Sequence, residues 1–385
     1  MPGLLKEEEQ SFKTIEIKEL HPTFAAEVLG VDFEDVSEEQ FSEIMTAMAK
    51  YGICVFRKTS LTDESHVSFS RRFGELDTVR RYMPPGRKPR YGFFELFDAG
   101  NVSTEPEHRD SPEPVPLSPD SLRAHTNRGN GLFHADSSFN PRRASYSLLR
   151  AALLPPPGTG ADTLFADSRT AAEELDPEIR ARLLGGSEDA LGEGAVEGGD
   201  RGFVGAHSIV HSRKLGSPAF FTDLDPTATP MVRHRVLQRH GPSGRMNLYV
   251  GAHLHHLEED PYANGGAERD VEGDEKISEN GKGEGREIPD SWALVQKLNV
   301  HTTQDKYTTS VPWNDPSDLV VWDNRAVLHR VGEGSFEGRF VRDLRRTTVH
   351  DDSPTAWGFN KVGEAFPSSL TGSFTGPKTG NGDVR

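Results

Sequence analysis

The chain has 385 residues, of which 60 are Asp or Glu and 44 are Lys or Arg, so its net charge is −16. Nucleic-acid binders gain most of their affinity by neutralising phosphates with basic side chains, so this charge argues against that function. The single cysteine, Cys54, excludes an intramolecular disulfide and favours a reducing compartment. We find neither a signal-peptide core nor an apolar run of about 18 residues, and we expect a cytoplasmic protein without a membrane partner.

The first predicted elements are two helices that flank a strand. Ser37 and Gln40 have the spacing of a capping box, and apolar residues then recur at helical spacing up to Gly52, which predicts a helix. The apolar run 53–56 predicts a buried strand, and a second helix is expected over 62–73. The chain therefore begins as mixed α and β structure.

Residues 97–130 contain Pro, Ser, Gly, Asn and charged residues without periodicity, which predicts a long loop and a candidate lid. Downstream, helices are expected to begin near Ser168, at Asp176 and near Pro289. The strands expected between and around these helices are 145–154, 162–166, 247–251, 319–322 and 339–349. Short strands distributed in this way favour a sandwich or jelly roll over a parallel sheet.

Two segments differ from the rest of the chain in composition. The first, 264–286, has seven acids, four bases, six glycines and no aromatic residue, so it has little apolar surface to offset the entropy of ordering. We predict a mobile surface insertion there and a flexible tail over 360–385. The length allows one large domain or two small ones, and we predict a single domain over residues 1–385.

A His-X-Asp pair, His134 and Asp136, is set among small and apolar residues just before a predicted strand. In an extended segment residues i and i+2 point to the same face, so one imidazole and one carboxylate can converge on a metal ion. A third ligand must come from a distant segment, and His329, which follows an apolar strand and a turn, is the candidate. Two imidazoles and one carboxylate suit non-haem Fe(II) oxygen chemistry, whereas the alternative is a set of ordinary hydrogen-bonded polar residues.

Three arginines occupy a strand pattern near the end of the β-rich region. Arg342 and Arg346 are four residues apart and are expected on one face of the strand, while Arg345 points to the other. Two cations on an interior face are costly unless anions neutralise them, so a dicarboxylate cosubstrate would fit Arg342 and a substrate anion would fit Arg346. The alternative is an outer strand whose arginines pair with some of the acidic residues.

Six ordered motifs carry a resemblance to a known family. They are FHADSSF at 133–139, SYSLLRA at 145–151, PPGTGADTLFAD at 156–167, GAHLHHLE at 251–258, DLVVWDNRAVLHR at 318–330 and RDLRRTTVHDD at 342–352. The chain resembles the taurine / 2,4-dichlorophenoxyacetate dioxygenase family of Fe(II)- and 2-oxoglutarate-dependent enzymes. The resemblance is greater to its 2,4-dichlorophenoxyacetate branch, which includes fungal xanthine-oxidising members. The acidic insertion and the long 97–130 loop depart from the family pattern, so the substrate lid is expected to differ.

The resemblance implies a single catalytic domain that is mainly β with inserted helices, built on a double-stranded β-helix, a jelly-roll variant. It implies that His134, Asp136 and His329 hold Fe(II), the site at which O2 reacts. It also implies that Thr163 and Arg342 bind the distal carboxylate of 2-oxoglutarate. Because iron and cosubstrate carry out the reaction, no general base is required.

By the same resemblance, Arg346 matches the position that binds the substrate anion. Further candidates for the substrate pocket are His207, His211 and the cluster of His253, His255 and His256. The expected partner is a small anionic or polar molecule, with an aryloxyacetate-like acid as first substrate and xanthine or an alkylsulfonate as alternatives. Competing hypotheses are a non-catalytic jelly-roll protein that binds a metal or metabolite, and a zinc hydrolase. The oligomeric state is open, and a homo-oligomer is compatible with the sequence.

Overall fold

The structure is a computed structural model that describes residues 12–83, 86–108, 111–184, 202–261 and 285–365. The predicted mobile insertion lies outside the described residues except for its last two positions. The predicted flexible tail lies outside them from residue 366 onward. Within the described ranges, no helix has the length and apolar character needed to cross a membrane.

Strands and short helices alternate along the described part of the chain. The strands are β1 Glu16–Glu19, β2 Ala26–Leu29, β3 Ile53–Phe56, β4 Phe97–Asp98, β5 Ala144–Leu153, β6 Thr163–Asp167, β7 Val204–His207, β8 Val232–Arg235, β9 Leu237–Arg239, β10 Met246–Leu248, β11 Leu254–Glu258, β12 Thr308–Val311, β13 Leu319–Asp323, β14 Val327–Val331 and β15 Asp343–His350. The α-helices are α1 Glu38–Tyr51, α2 Asp63–Ser70, α3 Leu122–Asn127, α4 Ser168–Glu173, α5 Pro177–Leu183, α6 Ile209–Gly216 and α7 Ser291–Thr302. The molecule is sheet-rich with inserted helices, as predicted.

The largest sheet has seven strands in the order β1-β2-β3-β13-β5-β15-β4. Two smaller sheets have the orders β12-β6-β14 and β11-β7-β8, and β9 pairs with β10. Only β2 and β3 pair in parallel among the strand pairs of the described residues. In the middle of the large sheet, Val321 of β13 lies opposite both Cys54 of β3 and Leu148 of β5. Segments that are far apart in sequence therefore meet by antiparallel pairing, which agrees with the exclusion of a parallel sheet.

An apolar layer joins the seven-stranded sheet to the β12-β6-β14 sheet. Trp322 of β13 packs edge-on against Phe165 of β6, with ring centroids 5.6 Å apart. Leu149 and Val320 of the large sheet and Val327 of β14 belong to the same buried cluster. Burial of large apolar side chains is the main favourable contribution to folding, so this layer fixes how the two sheets face each other.

Local capping explains where several helices begin and end. The side chain of Ser37 accepts a hydrogen bond from the Gln40 backbone at the start of α1, which ends at Gly52 in the left-handed conformation with φ 72°. Asp167 and Asp176 cap α4 and α5 in the same way. Each such cap stabilises a helix by about 1 kcal/mol. The helix starts predicted at Ser37 and Asp176 are confirmed.

The segment 97–130, expected to be a long loop, contains regular structure. At one end, β4 pairs with Arg345 and Arg346 of β15. At the other, α3 begins after Ser121, whose side chain accepts a hydrogen bond from the Ala124 backbone. With six residues, α3 is too short to show an apolar stripe at helical spacing, which is why periodicity did not predict it.

Candidate active site

The three predicted metal ligands meet at one point in the fold. His329 lies in β14, and its backbone exchanges two hydrogen bonds with that of His134, with N to O distances of 3.0 and 2.9 Å. This bridge places the two imidazole rings side by side, with centroids 4.3 Å apart. Asp136 follows two residues after His134, and one donor atom from each of the three side chains lies within 4.8 Å of the others. The three donors are close enough to bind a single ion.

The two imidazoles are in the protonation state that a metal ligand requires. Nδ1 of His134 donates to the Leu132 carbonyl at 2.7 Å, which leaves Nε2 unprotonated and 3.9 Å from Oδ1 of Asp136. Nε2 of His329 lies 3.7 Å from Oδ2 of the same carboxylate. Burial lowers the pKa of both histidines, that of His329 to about 3, so both are neutral near pH 7. Two neutral imidazoles and one carboxylate fit a divalent iron site.

Asp136 is oriented by contacts to both carboxylate oxygens and to its backbone. Ser147 donates to Oδ2 at 2.8 Å, and Nη1 of Arg346 donates to Oδ1 at 2.5 Å. The backbone N–H of Asp136 donates to Oδ1 of Asn324 at 3.0 Å. Burial alone would raise the pKa of Asp136, but the positive charge of Arg346, with the hydrogen bond from Ser147, outweighs burial and holds the pKa below its usual value. The carboxylate is therefore ionised and fixed in orientation.

Asn324 connects Asp136, the predicted metal ligand, to the surrounding sheet. Its Oδ1 accepts from the Asp136 backbone and from the indole N–H of Trp322, the latter at 2.9 Å. Its Nδ2 donates to the Ser145 carbonyl at 3.1 Å and to the Ser147 hydroxyl at 3.0 Å. Both lone pairs and both N–H groups of the amide are thus used. Sequence reasoning missed Asn324 and Ser147, although a polar residue directly after a buried strand was an available signal for Asn324.

Arg342 is a buried guanidinium next to Thr163. Strand β15 begins four residues later than expected, at Asp343, so Arg342 directly precedes it. Its side chain donates to the Ala161 carbonyl at 3.1 Å and to the Thr163 hydroxyl at 3.5 Å, and no carboxylate of the described residues lies within ion-pairing distance. Burial lowers the pKa of Arg342 to about 10, an effect that Asp162 opposes. Such a cation favours an anionic ligand.

The arginines of β15 alternate as predicted. Arg345 pairs with Asp63 of α2 at 2.5 Å and with Asp343 at 3.0 Å. Arg346 instead contacts Asp136, one of the predicted metal ligands. Pairing with ordinary acidic residues, the alternative interpretation of this strand, therefore applies to Arg345.

A cavity of about 360 Å³ opens beside Arg342. Leu132, whose carbonyl orients a metal ligand, lines it together with Asn101 and Asn127 of the segment 97–130. This volume lies within the range of small-molecule sites. The segment that was considered as a candidate lid therefore borders the space next to the cosubstrate candidate.

Two of the additional histidine candidates have different surroundings. His253 lies beside the predicted metal ligands, with its ring centroid 5.3 Å from that of His134. His207 packs instead with His234 at 5.8 Å and Tyr249 at 5.4 Å. Within the described part of the chain, neither ring nitrogen of His207 has a hydrogen-bond partner. A role of His207 in substrate binding stays a prediction.

The three remaining histidine candidates make contacts of their own. The rings of His211 and His255 meet edge to face with centroids 4.8 Å apart. His256 bonds to Glu258 at 2.9 Å, and Glu258 also pairs with Arg233 at 2.8 Å. These contacts account for the three side chains through packing and ion pairing.

Aromatic side chains extend from Arg346 toward the metal ligands. The guanidinium of Arg346 lies over the ring of Phe97 at 5.5 Å, and Phe97 is 6.2 Å from Tyr82. Tyr82 and Phe139 both pack against the buried side chain of Val210. Phe139 in turn lies 4.8 Å from the histidine ring that neighbours the metal ligands. We refer to Tyr82, Phe97 and Phe139 as the aromatic wall.

Comparison with known sequences shows which proteins the chain is similar to. Residues 16–348 match the model of the family described as taurine catabolism dioxygenase TauD, TfdA family. An alpha-ketoglutarate-dependent 2,4-dichlorophenoxyacetate dioxygenase from Cupriavidus pinatubonensis is 31% identical over 338 residues, which cover 87% of this chain and 97% of the relative. An (S)-phenoxypropionate/alpha-ketoglutarate-dioxygenase from Sphingobium herbicidovorans is 26% identical over 321 residues, which cover 82% of this chain and 88% of the relative.

Comparison with solved structures finds chains of similar fold. The crystal structure of AAD-2 in complex with Mn(II) and N-oxalylglycine has a TM-score of 0.64 at 29% identity and covers 89% of this chain and 99% of that one. A putative alpha-ketoglutarate dependent 2,4-D dioxygenase from Burkholderia xenovorans shares the fold, with a TM-score of 0.58 at 23% identity. The match covers 88% of this chain and 98% of that one. The resemblance carried by the motifs is confirmed, and the chain belongs to the taurine catabolism dioxygenase TauD, TfdA family.

Proposed function

We propose that this dioxygenase hydroxylates an aryloxy acid in a reaction that depends on Fe(II) and 2-oxoglutarate. The observation that carries the proposal is the contact of Arg346 with Asp136, because an anion bound by Arg346 then lies next to the metal ligands. The names of the relatives from Cupriavidus and Sphingobium, which act on phenoxy acids, support this substrate class.

Two groups of residues bind the metal and the cosubstrate in this proposal. His134, Asp136 and His329 hold Fe(II), which together with 2-oxoglutarate supplies the oxygen chemistry that releases succinate and CO2. Arg342 and Thr163 bind the distal carboxylate of 2-oxoglutarate, which provides the anion that the buried guanidinium lacks among the described side chains. The bound cosubstrate is thereby oriented before the substrate enters.

The aromatic wall and Arg346 select the substrate. A flat ring can pack on Tyr82, Phe97 and Phe139 while its carboxylate forms a charge-assisted hydrogen bond with Arg346. Xanthine is the second candidate, because its flat ring would pack on the same wall. An alkylsulfonate has an anionic group but no ring, so the wall gives it less contact.

We also infer that the two facing sheets form the double-stranded β-helix of the jelly-roll type. The support is the apolar layer between β13 and β6, in which Trp322 meets Phe165. In this arrangement both the metal ligand of β14 and Arg346 of β15 belong to the sheets that enclose the site. Membership of the dioxygenase family favours this function over a zinc hydrolase or a non-catalytic jelly-roll protein.

The metal and cosubstrate sites can be tested by absorption spectroscopy under anaerobic conditions. Fe(II) and 2-oxoglutarate should produce a visible charge-transfer band with the wild type. The variants His134→Ala and His329→Ala should lack the band, because each removes one of three ligands. His301→Ala is a matched control, since this partly exposed histidine on α7 bonds to the Ala171 carbonyl at 2.8 Å and to the Gln304 side chain at 3.4 Å.

The substrate class is tested by succinate formation with phenoxyacetate, xanthine and an alkylsulfonate. We expect the highest kcat/KM with phenoxyacetate. Survival of the band in both histidine variants would refute the proposed ligands. A preference for xanthine or the sulfonate would refute the proposed substrate class but not the metal site.

A further inference from the structure

Arg213 is a second guanidinium near the metal site, and the proposed function does not use it. It lies on α6, where its Nη1 donates to Oδ1 of Asn130 at 2.8 Å. The guanidinium packs on the backbone of Gly129, where an added Cβ would lie 2.8 Å from Nη1. The buried Nε has no hydrogen-bond partner, and no carboxylate of the described residues lies within ion-pairing distance of Arg213.

The charge of Arg213 acts on the groups around the site. Burial and, to a lesser extent, the positive charge of Arg346 lower the pKa of Arg213 to about 10, while Tyr82 opposes the shift. In the same way, Arg213 adds to the burial that lowers the pKa of His134 and of His253. Geometry places Arg213 there as well, because Val210, one turn earlier on α6, packs against Tyr82 and Phe139 of the aromatic wall. Asn130, which holds the guanidinium, lines the cavity beside Arg342.

The fixed charges around the site are unbalanced. Three arginines, Arg213, Arg342 and Arg346, lie around the site with one ionised carboxylate, Asp136, so these four groups have two positive charges in excess. Asp162 also acts on Arg342, but it is partly exposed and bonded to Ser310, so water screens its charge. Bound Fe(II) and the dianion of 2-oxoglutarate cancel each other and do not change this excess. A neutral substrate would leave both charges unbalanced, a monoacid would leave one, and a diacid would leave none. Because unpaired charges in a largely buried site are costly, the balance favours a diacid.

We propose that Arg213 and Arg346 together bind a substrate with two anionic groups, an aromatic diacid, and that Arg213 determines this specificity. The inference rests on the proposed function and narrows its substrate class. One carboxylate would pair with Arg346, the aromatic ring would pack on the aromatic wall, and the second anionic group would pair with Arg213. The guanidinium of Arg213 is held by Asn130, so it is oriented before the substrate binds.

The proposal is tested with a matched pair of compounds, phenoxyacetate and 4-carboxyphenoxyacetate. The dissociation constants are measured by calorimetry with the metal-free protein and with the anaerobic Fe(II)/2-oxoglutarate complex, and kcat/KM is measured from succinate. The wild type should favour the diacid by about tenfold, as expected for one additional charge-assisted pair. Arg213→Gln should abolish this preference, mainly through weaker binding of the diacid.

Two further variants complete the comparison. Arg213→Lys should retain part of the preference, because it keeps the charge but not the planar fork. Arg239→Gln is the matched control, since Arg239 is exposed and donates to the Gly244 carbonyl at 3.0 Å. It should keep the full preference of the wild type.

The outcomes separate this inference from the proposed function. If the wild type formed no charge-transfer band with Fe(II) and 2-oxoglutarate under anaerobic conditions, the proposed metal and cosubstrate sites would be refuted. If the band forms and the wild type binds the monoacid as tightly as the diacid, the inference is overturned without any variant. An unchanged preference in Arg213→Gln, or in Arg213→Met if that variant folds better, would also overturn it.

Discussion

Replacement of Asn324 by Ala tests whether the hydrogen-bond network around Asp136 orients the metal ligand. The change leaves two buried donors without an acceptor, the Asp136 backbone N–H and the indole N–H of Trp322. A buried donor left unpaired costs about 1–3 kcal/mol, so the free energy of unfolding should fall by roughly 2–6 kcal/mol. Since domains are stable by only about 5–15 kcal/mol, this loss is large.

The effect on the metal is expected to be separate from the effect on stability. Without Asn324, the backbone of Asp136 loses its fixed position, and Ser147, which donates to Oδ2, loses one of its own partners. Loss of such supporting contacts typically lowers metal affinity about 10- to 100-fold. Denaturant unfolding of the metal-free protein measures the first effect, and anaerobic Fe(II) titration measures the second.

Asn360→Ala is the matched control for this experiment. Oδ1 of Asn360 accepts from the Arg233 backbone at 2.8 Å, and its Nδ2 donates to the carbonyls of Pro141 at 3.2 Å and Trp357 at 2.8 Å. Its replacement should lower stability but leave the Fe(II) affinity unchanged. If Asn324→Ala bound Fe(II) as tightly as Asn360→Ala, the network would be a structural feature only, and the reasoning about Asp136 would be refuted.

Three further predictions concern single side chains. Arg342→Met should raise the KM for 2-oxoglutarate by at least about tenfold and leave Fe(II) affinity intact, and an unchanged KM would remove Arg342 from the cosubstrate site. Arg346→Met removes the nearest cation from Asp136 and should raise its pKa, so Fe(II) binding should weaken at acid pH more than in the wild type; parallel pH profiles would contradict this. Burial lowers the pKa of His207 to about 3, whereas the pKa of this histidine in the unfolded chain is near 6.5. Between these two pH values only the unfolded state binds the proton, so the free energy of unfolding falls as the pH is lowered. The metal-free His207→Leu variant should lack this contribution to the pH dependence, which is up to about 1.4 kcal/mol per pH unit. If denaturant unfolding gave the same change in unfolding free energy per pH unit for the variant and the wild type, this prediction would be wrong.

Residues with strong local signals were predicted well from the sequence. Ser37 marks the start of α1 because a capping side chain bonds to a backbone group three residues away. His134 and Asp136 could be paired because a spacing of two places both side chains on one face of an extended segment. The alternation of Arg345 and Arg346 follows from the same geometry.

Elements with weak local signals were missed. Helix α6, which carries Arg213, has eight residues with few apolar positions, so no stripe at helical spacing stands out. Strand β1, Glu16–Glu19, is short and mostly charged, and it pairs with β2 without an apolar run of its own. Both elements are stabilised by contacts with distant segments rather than by their own composition.

The sequence by itself determined the net charge, the single Cys54, the main helix starts and the types of side chain available for a metal. Tertiary structure alone decided which of these groups meet. Asp136 bonds to Asn324 across 188 residues and to Arg346 across 210 residues. The physical reason is range: caps and periodicity act over one or two turns, whereas these contacts depend on how the sheets pack. The pKa of Asp136 likewise reflects the balance of burial against neighbouring cations, which exists only in the folded chain.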